Sequence, residues 1–583
     1  MIVPPIIGAS GLPWRARLGD ERIATAIAQA HDLPEIVARV LAGRGIAPDG
    51  VAEFLNPTLR ALLPDPSHLR DMEKAVARLV RAIEQRETVA IFGDYDVDGA
   101  TSVSQLSDYF AALGICSIPY IPDRMREGYG PSIAAFDALI AQGATLIITV
   151  DCGTLAFAPI THARAKHVDV LVFDHHLSEA RLPEAHAIVN PNRMDETSPH
   201  RNLCAAGVVF LVLVALNKAL REAGYFNDVR REPSLLTMLD RVALGTVCDV
   251  MPLTGLNRAY VAQGLKLLAQ RGHVGLRALA DVARFDAVPS VYHLGFLLGP
   301  RINAGGRVGE SSLGIRLLAS HDALEAKALA AQLDHYNQER QAIESVVLEQ
   351  ALAQAESQTN RPVLLVASEH WHPGVIGIVA GRLKEKFARP AIVASIEGAS
   401  VKASARSVTG ADIGAVTHRA VTQGLLTAGG GHAMAAGFSF PLDKRDAIHD
   451  YYAEQLSVAV TAYGESRVKL YDGWVTVSGA NLALYDALKQ LEPYGLGFPK
   501  PKLALSEAKI IYRQPMKEKH LKLVLADSSG EARLQAVAFN IQDTPLGALL
   551  ATAPALHLYG ELSENYWQGQ SRLQLIIEDA AVA

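Results

Sequence analysis

Val89-Ala90-Ile91-Phe92-Gly93-Asp94-Tyr95-Asp96-Val97-Asp98-Gly99 is the stretch on which the fold turns. A short apolar run suited to a buried strand ends in a glycine and three aspartates at alternate positions. The pattern recurs. Leu146–Val150 runs into Asp151-Cys152-Gly153, Val170–Phe173 into Asp174-His175-His176, and Ala187–Val189 into Asn190-Pro191. Helical stretches separate most of these runs, and another precedes the first, with Met72, Val76, Leu79, Val80 and Ile83 on one face. Strand and helix in alternation predict a parallel α/β sheet. Such sheets bind ligands outside the carboxyl ends of their strands, so three strands ending in Asp or Asp-His should converge on one edge.

The acidic run invites a calcium-loop reading, with Gly99 sixth from Asp94, but the twelfth position is Gln105 and the flanks are strand and helix. A plainer reading makes these solvated acids, with Asp94 or Asp98 capping a helix. That reading weakens when Asp151 and Asp174-His175-His176 end neighbouring strands, because clustered carboxylates repel unless a cation neutralises them. Asp249, in Thr246-Val247-Cys248-Asp249-Val250, is a further candidate. Aspartate with imidazole suits Mg²⁺ or Mn²⁺, and imidazole favours Mn²⁺. Two such ions about 4 Å apart would hold a nucleophilic water and clamp a phosphoryl group.

Outward from this core, residues 1–70 read as an irregular N-terminal segment with short helices, and residues 71–290 as the parallel-sheet domain. Residues 291–357 read as a helical connector, with Asn337 as a break in the Ala/Leu/Glu/Gln-rich stretch 323–357. A second, smaller α/β domain fills 358–460: Pro362–Val366, a helix from about Val375 to Phe387, then Ala391–Ala394, ending near Gly429-Gly430-Gly431-His432. Residues 465–583 carry short strands suited to an OB-like β-barrel.

The 583 residues allow about three to five domains. With 49% hydrophobic and 20% charged residues the chain is of ordinary globular composition, which excludes collagen, coiled coil and wholesale disorder. Four cysteines, none in a CxxC pair, argue against a zinc ribbon or disulfide framework and suit a reducing, cytoplasmic setting. The longest apolar run, Leu203–Leu216, is 14 residues, too short to span a membrane. A net charge of −6 discourages nucleic-acid binding only on average, since a local groove can be basic.

Taken in order, these motifs resemble the DHH phosphoesterase superfamily and, over nearly the whole chain, its RecJ family of bacterial single-strand-specific exonucleases. Further residues carry the resemblance: Ala243 to Asp249, Gly299-Pro300-Arg301-Ile302-Asn303-Ala304-Gly305-Gly306-Arg307, Trp371 to Gly377, and Gly429 to Gly437 of a DHHA1 domain. The resemblance implies a DHH domain at 71–290, a DHHA1 domain at 358–460, and metal ligation by Asp96, Asp98, Asp151, His175 and Asp249. Asp94 and His176 would stand in or beside the ligand set, with His176 contacting the scissile phosphate or acting as an acid. It implies a metal-dependent 5′→3′ exonuclease on single-stranded DNA in recombination and repair, monomeric, with single-strand-binding protein and a helicase as partners. The competing expectation is a DHH/DHHA1 phosphodiesterase acting on short oligonucleotides or cyclic dinucleotides.

Substrate contacts are expected at five places. Ser404 and Arg406 offer a hydroxyl and a guanidinium suited to a phosphate, and the resemblance implies that this is the terminal 5′ phosphate. Gly430, Gly431 and His432 form either a tight turn or a phosphate cradle. Arg124 and Tyr129 could hold a phosphate and stack on a base. Arg301 is the favoured phosphate contact of its motif, beside Asn303. In the barrel, Lys500, Lys502, Lys509, Arg513, Lys517, Lys519 and Lys522, with Tyr512 and Trp567, suit a single strand.

Overall fold

The computed structural model describes residues 6–583 except 124–126, 129, 518 and 568–569, with the backbone alone at 566, 567, 570 and 571. Five parallel strands form the first sheet, in the spatial order Ser117–Tyr120, Val89–Gly93, Leu146–Val150, Asp169–Phe173, Ala187–Val189. The three central strands are buried along nearly their whole length, as their unbroken apolar runs require. Their register is level. Gly93 pairs with Val150, Val150 with Phe173 and Phe173 with Val189. The next residue of each central strand, Asp94, Asp151 and Asp174, therefore emerges at one height on one edge. The expected convergence of the acids follows from this register. The apolar run at 203–216 forms the buried helix Ala205–Glu222 against the same sheet.

The second sheet is mixed, in the order Ala428–His432, Ala435–Pro441, Ser400–Arg406, Ala391–Glu397, Leu364–Ser368. One helix of 34 residues, Ala323–Glu356, joins the two lobes. Its first half, through Ala326, Leu329, Ala330 and Leu333, packs in the core beside the first sheet, and its second, through Val347, Ala351 and Ala355, packs in that of the second. No break occurs at Asn337, contrary to expectation. Its side chain is buried and accepts a hydrogen bond from Arg340 Nη2 at 2.9 Å, one turn on, so the amide is satisfied within the helix.

The C-terminal strands Leu503–Met516, His520–Ala526, Arg533–Ala538, Gln570–Val582 and Ala555–Trp567 close into a five-stranded barrel, because Leu503–Met516 pairs with both its first and last neighbours. Residues 6–55 belong to this unit, whereas Leu59, Leu62, Leu63 and Leu69 pack on the first lobe. Trp14–Ala16 pairs in parallel with Lys469–Tyr471, Trp14 Nε1 and Ser10 both donate to buried Asp579, and Ile27, Val37, Leu41, Val51 and Phe54 share one core with Leu491, Phe498 and Leu503. The N-terminal helices supply the apolar cover that the barrel strands lack.

Arg258 pins this unit to the first lobe. It lies on the helix Gly255–Ala269, is 1% exposed, and faces no carboxylate within ion-pair reach among the described residues. Its guanidinium donates to the carbonyls of Phe54 at 2.9 Å, Leu491 at 2.8 Å, Glu492 at 3.0 Å and Pro493 at 2.9 Å, and lies 3.7 Å from the Phe54 ring centre. Burial lowers its pKa to about 10, so it stays charged at neutral pH. Replacing it strands four carbonyls without donors. Arg258→Met is therefore expected to destabilise the chain by on the order of 3–5 kcal/mol in denaturant melts. A loss below about 1 kcal/mol would show that the pin is dispensable.

Candidate metal centre

The acids at the sheet edge are held in different ways. Asp96 is the N-cap of the helix Val97–Ala112, accepting from Gly99 N at 3.0 Å; the cap is neither Asp94 nor Asp98. Asp98, in the first turn of the same helix and 1% exposed, accepts from Ala205 N at 2.6 Å and Ala206 N at 2.9 Å. It thus sits on the positive end of the helix Ala205–Glu222. Gly245 permits this, since a Cβ there would lie 2.8 Å from Asp98 Oδ1 and 2.7 Å from Thr101 Oγ1. Asp151 has a left-handed backbone, φ +59°, which turns its carboxylate back over the edge. Asp249 ends the helix Leu239–Cys248.

Three groups of these side chains bring ligand atoms within 4.8 Å of one another: Asp94, Asp96 and Asp151; Asp98, His175 and Asp249; and Asp151, His175 and His176. His175 Nε2 stands 3.2 Å from Asp151 Oδ1, 3.4 Å from Asp249 Oδ2 and 3.9 Å from Asp98 Oδ2. Every residue expected as a ligand is gathered here, and Asp151 belongs to two groups.

The protonation of these groups follows from their crowding. Burial first, then the charge of Asp96, raises Asp98 to about 7. Burial and the charges of Asp98 and Asp96 raise Asp249 to about 9, and the same causes raise Asp151. Asp249 Oδ2 is buried without a hydrogen-bond donor. A divalent cation fits such a set: it satisfies the orphaned oxygen and reverses the repulsion. Burial and the neighbouring His176 lower His175 to about 4, leaving a neutral imidazole with a lone pair to offer.

Asp174, the first letter of the Asp-His-His triplet, serves the other two. It accepts from Thr154 N, His175 N and His176 N, and from His176 Nδ1 at 2.7 Å. Burial pushes its pKa up, but the His176 hydrogen bond and charge hold it well below the carboxylate range. Burial lowers His176, and the bond and charge of Asp174 outweigh it, raising the ring to about 9. In the metal-free protein the neighbouring carboxylates thus favour the imidazolium form of His176 at neutral pH. Asn190 and Asn192 hold the same loop by donating to the carbonyls of His176 at 2.8 Å and His175 at 2.5 Å. Sequence reasoning missed these positioning roles and the amides of Ala205 and Ala206. Their only signal was a polar residue just past a strand or a helix start after Cys204.

The other expected contacts divide. Ser404 and Arg406, on Ser400–Arg406, converge on the start of the helix Ile376–Phe387: a Cβ on Gly377 would lie 2.9 Å from Ser404 Oγ and 3.2 Å from Arg406 Nη2. A guanidinium, a hydroxyl and a helix N-terminus meeting at one point suit an anion. His432 lies within the field of both lobes; burial, then the positive charges of Arg406 and His176, lower its pKa. Gly430 and Gly431 are neither turn nor loop. They lie in the edge strand Ala428–His432, paired on one side with Ala435–Pro441. A Cβ on Gly431 would come within 2.3 Å of Ala435 O, whereas Gly430 faces open space.

Arg301 is not placed as a phosphate contact. Its Nε donates to Asp334 at 2.8 Å and its Nη1 to Leu297 O at 2.7 Å, which ties Gly299–Val308 to the long helix. Asn303 is half-buried on the same helix. In the barrel, Lys500 and Lys502 pair with Glu561, Lys502 also with Glu578, Lys509 donates to Ser528 O and Arg513 to Leu550 O. The sequence run overstates the basic surface by these four residues. Tyr512 is exposed, whereas the Trp567 side chain, Arg124 and Tyr129 lie outside the described residues.

With this geometry established, comparison with known proteins is decisive. Family profiles match at residues 88–246 (DHH family, N-terminal domain), 360–457 (DHHA1 domain) and 471–579 (RecJ OB domain). The chain is 36% identical to the single-stranded-DNA-specific exonuclease RecJ of Dickeya dadantii and 35% identical to that of Escherichia coli, in each case over 94% of this chain and 96% of the relative. The chain belongs to the RecJ family. The crystal structure of RecJ from Thermus thermophilus in complex with Mn²⁺ superposes with a TM-score of 0.80 at 29% identity, covering 98% of this chain and 79% of that one. The Mg²⁺ complex of the same protein gives 0.75 at 28%, covering 98% and 78%. Mn²⁺ or Mg²⁺ is accordingly the cofactor class. Among the described residues no helix is long and apolar enough to cross a membrane.

The crowded acids set a pH signature for the metal-free protein. Asp98 (about 7), Asp249 (about 9) and His176 (about 9) all have folded pKa values above their unfolded ones, 3.8 for the acids and 6.5 for the imidazole. Through this range the folded state binds more protons than the unfolded one, so stability falls as pH rises. Asp174 and His175, both held low, do not change above pH 6.5. In EDTA the melting temperature is expected to fall between pH 6.5 and 9, and Mn²⁺ to restore it most at the alkaline end. Asp249→Asn should flatten the EDTA slope. A melting temperature indifferent to both pH and Mn²⁺ would contradict the centre.

Proposed function

We propose that this chain is a metal-dependent 5′→3′ exonuclease that hydrolyses single-stranded DNA to mononucleotides during DNA recombination and repair. The observation that carries this reading is two adjoining ligand groups at one sheet edge, Asp94 with Asp96 and Asp151 and Asp98 with His175 and Asp249, opposite a second lobe that presents Arg406 and His432. Asp94, Asp96 and Asp151 would hold one ion and Asp98, His175 and Asp249 the other. When bound, the ions would supply Lewis acidity for water activation and for neutralising phosphoryl charge.

The chain's own groups supply the rest. His176, held as an imidazolium by Asp174, is placed to donate to a phosphoryl oxygen or to the departing 3′ oxygen. Ser404, Arg406 and the start of the helix Ile376–Phe387 would receive the terminal 5′ phosphate, Gly430 and His432 would flank it, and Asn303 would line the approach. Anchoring an end favours removal of terminal nucleotides over internal cutting. The barrel with Lys517, Lys519, Lys522 and Tyr512 would grip the strand further on. That barrel also argues against a phosphodiesterase confined to short oligonucleotides or cyclic dinucleotides, which would have no strand for it to hold. A cytoplasmic setting suits the four unpaired cysteines, and a monomer with single-strand-binding protein and a helicase as partners fits the activity.

The test is digestion of end-labelled single-stranded and duplex DNA with Mn²⁺. The native chain is expected to release mononucleotides from the 5′ end of the single strand and to spare the duplex. Asp151→Ala should lose at least about a thousandfold in rate, as removal of one ion's carboxylate ligand implies. Persistent release by Asp151→Ala would refute the ligand assignment, and no release by the native chain would refute the activity. Arg406→Ala is expected to raise KM for 5′-phosphorylated strands about tenfold or more, with a much smaller change for 5′-hydroxyl strands. An equal effect on both would remove Arg406 from the end-binding pocket.

A further inference from the structure

The chain segment that carries Asp249 continues into an apolar surface that the fold does not use. Val250 follows Asp249 with φ +57°, a backbone state that β-branched residues rarely adopt, yet its side chain is 62% exposed. An apolar side chain kept in solvent on a strained backbone gains nothing from packing. Against this segment lies the wide helical turn His293–Leu298. Cys248 Sγ lies 3.5 Å from Leu294 O, and a Cβ on Gly295 would meet Val247 at 3.4 Å. That turn is of the rare π type, which concentrates at functional sites.

Two aromatic rings project from it. Tyr292 and Phe296, four residues apart, are 58% and 68% exposed and stack at 5.3 Å with their planes 20° apart. The same seam meets the C-terminal unit. Leu253 N donates to Leu496 O at 2.8 Å, and a Cβ on Gly495 would touch Leu253 and Val291. Leu496, 54% exposed, extends the apolar surface toward the barrel.

We propose that Tyr292 and Phe296, with Val250 two residues past the Cys248 that packs on their turn, form a platform on which bases of the substrate strand stack between the metal centre and the barrel. The proposal rests on the exonuclease reading above. The placement selects the occupant: a strand whose scissile phosphate lies at Asp249 and whose remainder runs to the barrel crosses this seam, and exposed stacked rings offer π-faces that any base can use. Sequence-independent stacking suits an enzyme that must move along every sequence.

The experiment measures binding of the full-length chain, in EDTA, to a fluorescein-labelled, 5′-phosphorylated oligothymidylate long enough to reach the barrel. The same measurement is made on a strand of equal length with abasic residues in place of thymidines. The native chain is expected to bind the base-bearing strand about tenfold or more tightly, the order of a base–aromatic stack. Tyr292→Ala/Phe296→Ala should lose most of that preference, while Tyr292→Phe and Phe296→Tyr keep it. Both rings are exposed, so the alanine variants should melt like the native chain. Val250→Gly separates fold from function: it relieves strain, so the melting temperature should rise while affinity for the base-bearing strand falls. A preference retained by the double alanine variant overturns the platform alone and points instead to a protein partner for the rings. A native chain that binds neither strand overturns the nucleic-acid reading, and the platform with it.

Discussion

Mutual repulsion of carboxylates at one sheet edge is the constraint around which this molecule is built. Level register among three parallel strands sets Asp94, Asp151 and Asp174 side by side, and Asp96, Asp98 and Asp249 join them from adjoining helices. The fold handles each charge separately. Asp98 rests on two amides at a helix start, Asp174 is neutralised by the His176 ring, and Asp96 caps its own helix. Asp151 and Asp249 are left to face one another's field, which is where a divalent cation has most to contribute. The two uncommon backbone states nearby, at Asp151 and Val250, mark where the chain bends to aim these groups.

A centre of this kind requires that the second lobe be held at a fixed distance. The unbroken helix Ala323–Glu356 does this by belonging to two cores at once. Arg301 ties it to the helix Gly299–Val308 through Asp334. The barrel is fixed in a different way, by a buried guanidinium that reads only backbone carbonyls from the N-terminal helices and the loop before the barrel. Three carbonyls of one loop and one of the helix Val51–Leu55 can be met together only if both are already in place, so Arg258 couples the folding of the chain's two ends.

The cluster of acids at the sheet edge was legible because each follows an apolar strand or helix, a signal local to a few residues. Asp174 looked like its neighbours in sequence, and only its hydrogen bonds to His176 show that it positions rather than ligates. The glycine run at 429–431 suggested a turn, but strand pairing with Ala435–Pro441 uses it as an edge. The basic run 500–522 counted charges without their partners. Glu561 and Glu578, which pair with Lys500 and Lys502, come from strands some sixty to eighty residues on. The segment 1–70 reads as irregular in sequence because the apolar faces of its helices between Glu21 and Leu55 are completed by residues from the other end of the chain.

By itself the amino-acid sequence determined the alternation of strand and helix, the identity of the acids and imidazoles at the sheet edge, and the order of the domains. These depend on short-range periodicity and on residue chemistry, which are written within a few positions. Tertiary structure alone decided which charges are paired and which are left for a cation, which arginines hold the frame and which face substrate, and where the chain's two ends meet. Those outcomes depend on contacts between residues tens to hundreds of positions apart, and on burial that amplifies each unpaired charge once water is excluded.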